Sequence, residues 1–212
     1  LPPVIAGLLV ARGICNPEAA ARFLSPAISH LHSPYEMAGM KAAVERLSAA
    51  IARKEPVLVY GDYDADGMTA SSILFRCLTL LGADVGYYVP NRMDEGYGLN
   101  DEALRTLHGR GASLVVTVDC GITAVDAAAR AAELGVDLIV TDHHRHGEAL
   151  PACPIVAPAV RGTYPFDALC GAGTAFKLLE GLVAACDADP AILEDAARFM
   201  EGLRPRDRVR ES

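Results

Sequence analysis

The chain has 212 residues, of which 51% are hydrophobic and 22% charged, and its net charge is −8. This suffices for one large domain or one and a half, and it argues against wholesale disorder. An acidic balance does not suit an ordinary nucleic-acid binder, which presents a basic surface, unless metal ions lie over some of the Asp residues and invert the local field.

The six cysteines form no Cys-x-x-Cys pair and show no zinc or redox spacing. Reduced thiols in a cytoplasmic protein are the expectation. No apolar run is long enough to span a bilayer and no signal peptide is evident, so no membrane association is expected. The opening Leu1-Pro2-Pro3 reads as the interior of a longer chain.

Asn16-Pro17-Glu18 predicts a short helix to residue 24, with Asn as cap, Pro at the first helical position and Glu complementing the dipole. Residues 40–54 have Ala43, Leu47 and Ile51 on one face, which predicts an amphipathic helix. From residue 57 strands and helices alternate. Strands are predicted at 57–60, 85–89, 114–118 and 137–140, with a shorter piece at Ile155-Val156. Helices are predicted at 68–81, 101–110 (capped by Asn100), 123–134, 172–185 and 191–200. The alternation implies an α/β fold, a Rossmann-like parallel sheet flanked by helices with right-handed crossovers, preceded by a helical lead-in. Functional groups of such sheets gather beyond the carboxyl ends of the strands.

The polar clusters fall at that place. Asp62-Tyr63-Asp64-Ala65-Asp66-Gly67 follows the first strand and brings three carboxylates together. Unpaired they would repel one another, and a hard divalent cation with oxygen ligands is the usual remedy. Asp119 ends the third strand, where alone it reads as a helix N-cap. Asp142-His143-His144 ends the fourth, where alone it reads as a surface loop. Three strand ends each delivering Asp or His outweigh those separate readings. A mixed Asp/His donor set favours manganese and leaves magnesium open. In the segment 91–99, Arg92 is suited to a phosphate through its planar fork, and Tyr97 either stacks on a base or packs in the core. Cys170-Gly171-Ala172-Gly173 opens a helix, where exposed amides favour an anion or the glycines allow close packing.

Taken in order, Gly61-Asp62-Tyr63-Asp64-Ala65-Asp66-Gly67, Arg92-Met93-Asp94-Glu95-Gly96-Tyr97-Gly98-Leu99, Val118-Asp119-Cys120-Gly121, Asp142-His143-His144 and Cys170-Gly171-Ala172-Gly173 resemble the DHH phosphoesterase superfamily. The 95–99 loop and the helical lead-in point within it to the RecJ-type single-stranded-DNA-specific exonucleases. The resemblance implies a helical segment over 1–55 and a DHH catalytic domain over 56–212, without the family's C-terminal associated domain. It implies two divalent ions, Mn2+ or Mg2+, and 5′-to-3′ hydrolysis of single-stranded DNA in repair and recombination. Helicases and single-strand-binding protein are the implied partners. Carried over by position, Asp64, Asp66, Asp119 and His143 are catalytic metal ligands. Asp62 and Asp142 support these ligands at the metal site, His144 stands near the scissile phosphate, and Arg92, Tyr97, Gly171 and Gly173 meet substrate.

Besides that associated domain, the chain departs from the family pattern in two further places. A Gly-Thr-Val-Ala-Asp stretch after the late helices is absent, with the Arg-rich segment 201–210 in its place and Asp207 as a substitute of low standing. Ala157-Pro158 stands where the family has Asn-Pro. The Arg-rich tail reads as a phosphate contact or, given its terminal position, as a frayed solvated end. Two alternatives to the exonuclease reading stay open: a DHH phosphoesterase acting on short oligonucleotides, cyclic dinucleotides or pyrophosphate, and an inactive metal- and nucleic-acid-binding relative.

Overall fold

The computed structural model describes residues 1–25, 27–91, 98–162 and 164–202. The chain divides into two units, Leu1–Ser33 and Pro34–Ser212. The first holds α1 (Pro3–Ala11), which the sequence pattern did not announce, and α2 (Pro17–Leu24). In α2 the Asn16 side chain accepts the amide of Ala19 at 2.7 Å, as its capping pattern predicts.

The second unit opens on a 3-10 turn (Pro34–Glu36) and continues through α3 (Met40–Arg53), β1 (Val57–Gly61), α4 (Ala65–Leu80), β2 (Val85–Tyr88), α5 (Asp101–Gly109) and β3 (Leu114–Val118). It ends with α6 (Val125–Glu133), β4 (Asp137–Thr141), β5 (Ile155–Val156), α7 (Gly171–Ala185) and α8 (Ala191–Gly202). The helix α3, placed by the sequence reading in the lead-in, packs on α7 and β5 within this second unit.

The five strands form one sheet in the order β2-β1-β3-β4-β5, every pair parallel. Its inner strands are Val/Ile/Leu-rich because both faces are covered. On one face Val57, Val59, Leu114, Val116 and Ile139 join a core with α3, α4, α7 and α8. On the other Val115, Leu138 and Val140 join α5 and α6. The single-residue alternation of Val115 and Val116 between the two cores is the pleat at work.

The chain leaves β1 to build β2 on one side, then returns to build β3 on the other. The order therefore reverses between β1 and β3, where a crevice opens beyond the strand ends. In register, Gly61 lies beside Val118, and Val118 beside Thr141. The segments following β1, β3 and β4 thus emerge side by side. No helix among the described residues is long and apolar enough to cross a membrane.

Candidate metal centre

The turn after β1 is built by its own carboxylates. Asp62 is buried, and its Oδ1 accepts the Tyr63 amide at 2.7 Å. Asp64 Oδ1 accepts the amides of Asp66 and Gly67, both at 2.9 Å, and so caps α4. That cap explains why α4 starts at Ala65, three residues before the predicted start at 68. Gly67 is required there, since a Cβ would stand 2.6 Å from the Asp62 Cβ. Asp66, now in the first turn of α4, accepts two amides from the start of α7: Gly171 at 2.6 Å and Ala172 at 2.8 Å.

Asp119 follows β3 with φ +61°, a left-handed backbone uncommon outside glycine. Its side chain is 1% exposed. It caps no helix, because α6 starts at Val125 and is preceded by Ala124. The turn is fixed from both sides. The Asp119 amide donates to Thr141 O at 3.0 Å. Thr117 Oγ1 donates to Cys120 O at 2.8 Å, and Thr141 Oγ1 to Thr117 O at 2.7 Å. The sequence reading did not single out these two buried threonines; a hydroxyl near each end of otherwise aliphatic strands was the available signal.

After β4, the buried Asp142 spends both oxygens on its own chain. Oδ2 accepts the Ile122 amide at 2.9 Å, and Oδ1 accepts the amides of His143 at 2.7 Å and His144 at 3.1 Å. Oδ1 also lies 2.8 Å from His144 Nδ1, which orients that ring. His143 Nε2 stands 3.0 Å from Asp119 Oδ1 and 3.6 Å from Asp66 Oδ2. The two imidazoles are 4.5 Å apart and tilted by 45°, so adjacent histidines do present different directions.

Two sets of donor atoms result, each with its atoms within 4.8 Å of one another: Asp62, Asp64 and Asp119, and Asp119, His143 and His144. Asp119 belongs to both. Its Oδ1 is buried and accepts no hydrogen bond among the described residues. Burial, then the nearby charges of Asp66 and Asp64, push its carboxyl up to about 7, despite the opposing effect of His144. For His144, burial opposes the cation, but the Asp142 hydrogen bond and the charges of Asp142, Asp119 and Asp62 prevail and raise its pKa. A buried carboxylate oxygen left without a donor, ringed by further carboxylates and imidazole, fits a divalent cation with oxygen and nitrogen ligands.

Six of the residues assigned to the site from sequence therefore meet at one crevice: Asp62, Asp64, Asp66, Asp119, His143 and His144. Asp142 lies behind them as a brace and is in neither donor set. Gly171 and Gly173 were assigned to substrate; in the structure the Gly171 amide holds Asp66 and the Gly173 amide meets Cys170 Sγ at 3.4 Å. The anion at the start of α7 is the protein's own carboxylate. Arg92 and Tyr97 lie outside the described residues, as do Asp207 and the Arg-rich tail from 203.

The sheet and its sequence have known relatives. Among curated proteins, the single-stranded-DNA-specific exonuclease RecJ of Bacillus subtilis (strain 168) is 47% identical over 185 residues, covering 86% of this chain and 24% of the relative. The protein of that name from Escherichia coli (strain K12) is 37% identical, covering 86% of this chain and 31% of its own length. The chain thus spans about a quarter to a third of these relatives. Among solved structures, an exonuclease RecJ bound to manganese matches with a TM-score of 0.70 at 39% identity, covering 76% of this chain and 42% of that one. RecJ from Thermus thermophilus in complex with Mn2+ matches with a TM-score of 0.71 at 33% identity, covering 91% and 26%. The DHH family, N-terminal domain, matches residues 56–200, the stretch that carries the sheet and every cluster described above. The chain belongs to the DHH family.

Proposed function

We propose that this chain is the catalytic domain of a metal-dependent exonuclease that hydrolyses phosphodiester bonds of single-stranded DNA from the 5′ end, with two Mn2+ or Mg2+ ions. The observation that carries the reading is Asp119, a residue of both donor sets whose buried Oδ1 accepts no hydrogen bond among the described residues. The names of the RecJ relatives support the substrate, and the manganese-bound neighbours support the cofactor.

Asp64, Asp119 and His143 are the residues we assign to hold the ions, with Asp62, Asp66 and His144 beside them. A bound pair of such ions supplies a water of lowered pKa and stabilises charge on the attacking and leaving oxygens. The protein contributes the frame for that chemistry. Asp64 keeps one oxygen on the α4 cap, so its carboxylate cannot rotate away from the crevice. Asp142 fixes the His144 ring through Nδ1, and in the metal-free chain its hydrogen bond and charge raise that imidazole's pKa. His144, nearly half exposed, stands at the mouth of the site, and Asp119 closes its base. Strand preference would come from a narrow channel and base stacking, with Arg92 and Tyr97 as proposed contacts from the family resemblance. Helicases and single-strand-binding protein as partners rest on that resemblance too. Six free thiols support a cytoplasmic place.

The test is digestion of a 5′-labelled single-stranded oligonucleotide with Mn2+, with Mg2+ and with chelator. Metal-dependent release of mononucleotides is expected. Metal-dependent cleavage of a dinucleotide with none of the long strand would move the assignment to a small-substrate phosphoesterase.

A further inference from the structure

The start of α7 joins the site in a way that neither donor set includes. The amides of Gly171 and Ala172 grip both oxygens of Asp66, a contact spanning 105 residues of sequence. On its other side Gly171 faces Asp119. A Cβ at Gly171 would lie 2.5 Å from Asp119 Oδ1, 2.6 Å from Cγ and 2.7 Å from Cβ. Turning the Asp119 side chain would relieve the first two contacts. It would not relieve the third, because a Cβ moves only with its backbone. That backbone is held in a left-handed turn by Thr141 O and by the Thr117 hydroxyl on Cys120 O. The helix is no freer, since α7 is packed against α3, α4 and α8.

We propose that Gly171 is a positioning residue: its amide, with that of Ala172, aims Asp66, and its missing side chain provides the space in which Asp119 stands. The α7 N-terminus thus sets the separation of two carboxylates that arrive from β1 and β3. This rests on the metal-centre reading given above. Gly173 supplies the internal control. It lies in the same first turn, yet a Cβ there meets chiefly the Leu169 side chain, 3.2 Å from its Cδ2, a methyl that can rotate away. Both Gly→Ala changes bring the same gain in helix propensity.

The experiment compares wild type, Gly171→Ala and Gly173→Ala in the full chain by Mn2+ calorimetry, by the visible absorption of the Co2+-loaded protein, and by thermal midpoint in chelator. Gly171→Ala is expected to weaken Mn2+ binding about ten- to a hundredfold and to shift the Co2+ bands. Gly173→Ala should leave both near wild type. A double-mutant cycle covers the case in which Gly171→Ala folds poorly. Adding Asp119→Gly removes the clashing Cβ, so the fall in midpoint caused by Gly171→Ala should largely disappear in that background. Wild type that binds Mn2+ beside a Gly171→Ala chain binding it equally overturns this inference alone. So does an undiminished penalty in the Asp119→Gly background. A wild-type chain that takes up no Mn2+ or Co2+ overturns the functional reading and this inference with it.

Discussion

Asp119 Oδ1 and His143 Nε2 stand 3.0 Å apart at the ends of adjacent strands, and among the described residues the buried oxygen accepts no hydrogen bond. In most folds a buried carboxylate oxygen finds a donor. Here the backbone of Asp119 is held in an uncommon conformation to keep that oxygen pointed into the crevice. Local strain at such a position is tolerated where the surroundings over-determine it, and Thr117 and Thr141 do so here.

The metal-free protein should lose stability as pH rises. The Asp119 carboxyl sits at about 7 in the fold against an ordinary value of 3.8. The folded chain therefore keeps a proton that the unfolded chain has released. That contribution is fully present below 3.8 and is lost as pH rises through about 7. Thermal midpoints in chelator should fall between about pH 5.5 and 8 by more than those of the Mn2+-loaded protein, and added Mn2+ should raise the midpoint most at the alkaline end.

Asp119→Asn separates stability from function. Asn tolerates the left-handed backbone and carries no charge to bury. In chelator at about pH 8 the variant should be more stable than wild type, by on the order of 2 kcal/mol, as read from urea midpoints. It should bind Mn2+ far more weakly and release no nucleotide.

Asp64 serves two purposes that substitution can divide. Asp64→Asn keeps a good cap for α4 and removes a ligand charge. Its metal-free thermal midpoint should be no lower than that of wild type, since a charge that repels Asp119 is gone, while hydrolysis is lost. Asp64→Ala removes both and should cost about 1 kcal/mol more in stability.

Asp142→Ala should be the most destabilising single change in the site. It strands the buried amide of Ile122 and those of His143 and His144, and it frees the His144 ring. Unsatisfied buried donors cost about 1–3 kcal/mol each, so a loss of several kcal/mol is expected in denaturant unfolding. An equal loss from Asp62→Ala and Asp142→Ala would show that Asp142 is no special brace.

The sheet and the crevice were legible in the sequence because both depend on local pattern. Short aliphatic runs separated by helical periodicity give a parallel sheet, and acidic or imidazole groups directly after a run must lie at the strand ends. Thus Asp64, Asp66, Asp119, His143 and His144 could be placed together without coordinates. Contacts made across long sequence separations were not legible. Nothing within 171–173 announces that its amides meet Asp66, so an external anion was the natural expectation. The supporting role of Asp142 was expected, but the same limit hid its partner Ile122, which comes from the preceding strand's turn. Asp119 reads as an N-cap because residue type alone carries no sign of a positive φ.

The most direct measurement is anomalous diffraction at the manganese absorption edge from crystals of the chain soaked in Mn2+. Peaks beside the Asp119 carboxylate, within ligand distance of Asp64 and His143, are expected. Crystals that diffract well but show no peak at Asp119, or peaks only elsewhere on the surface, would contradict the account.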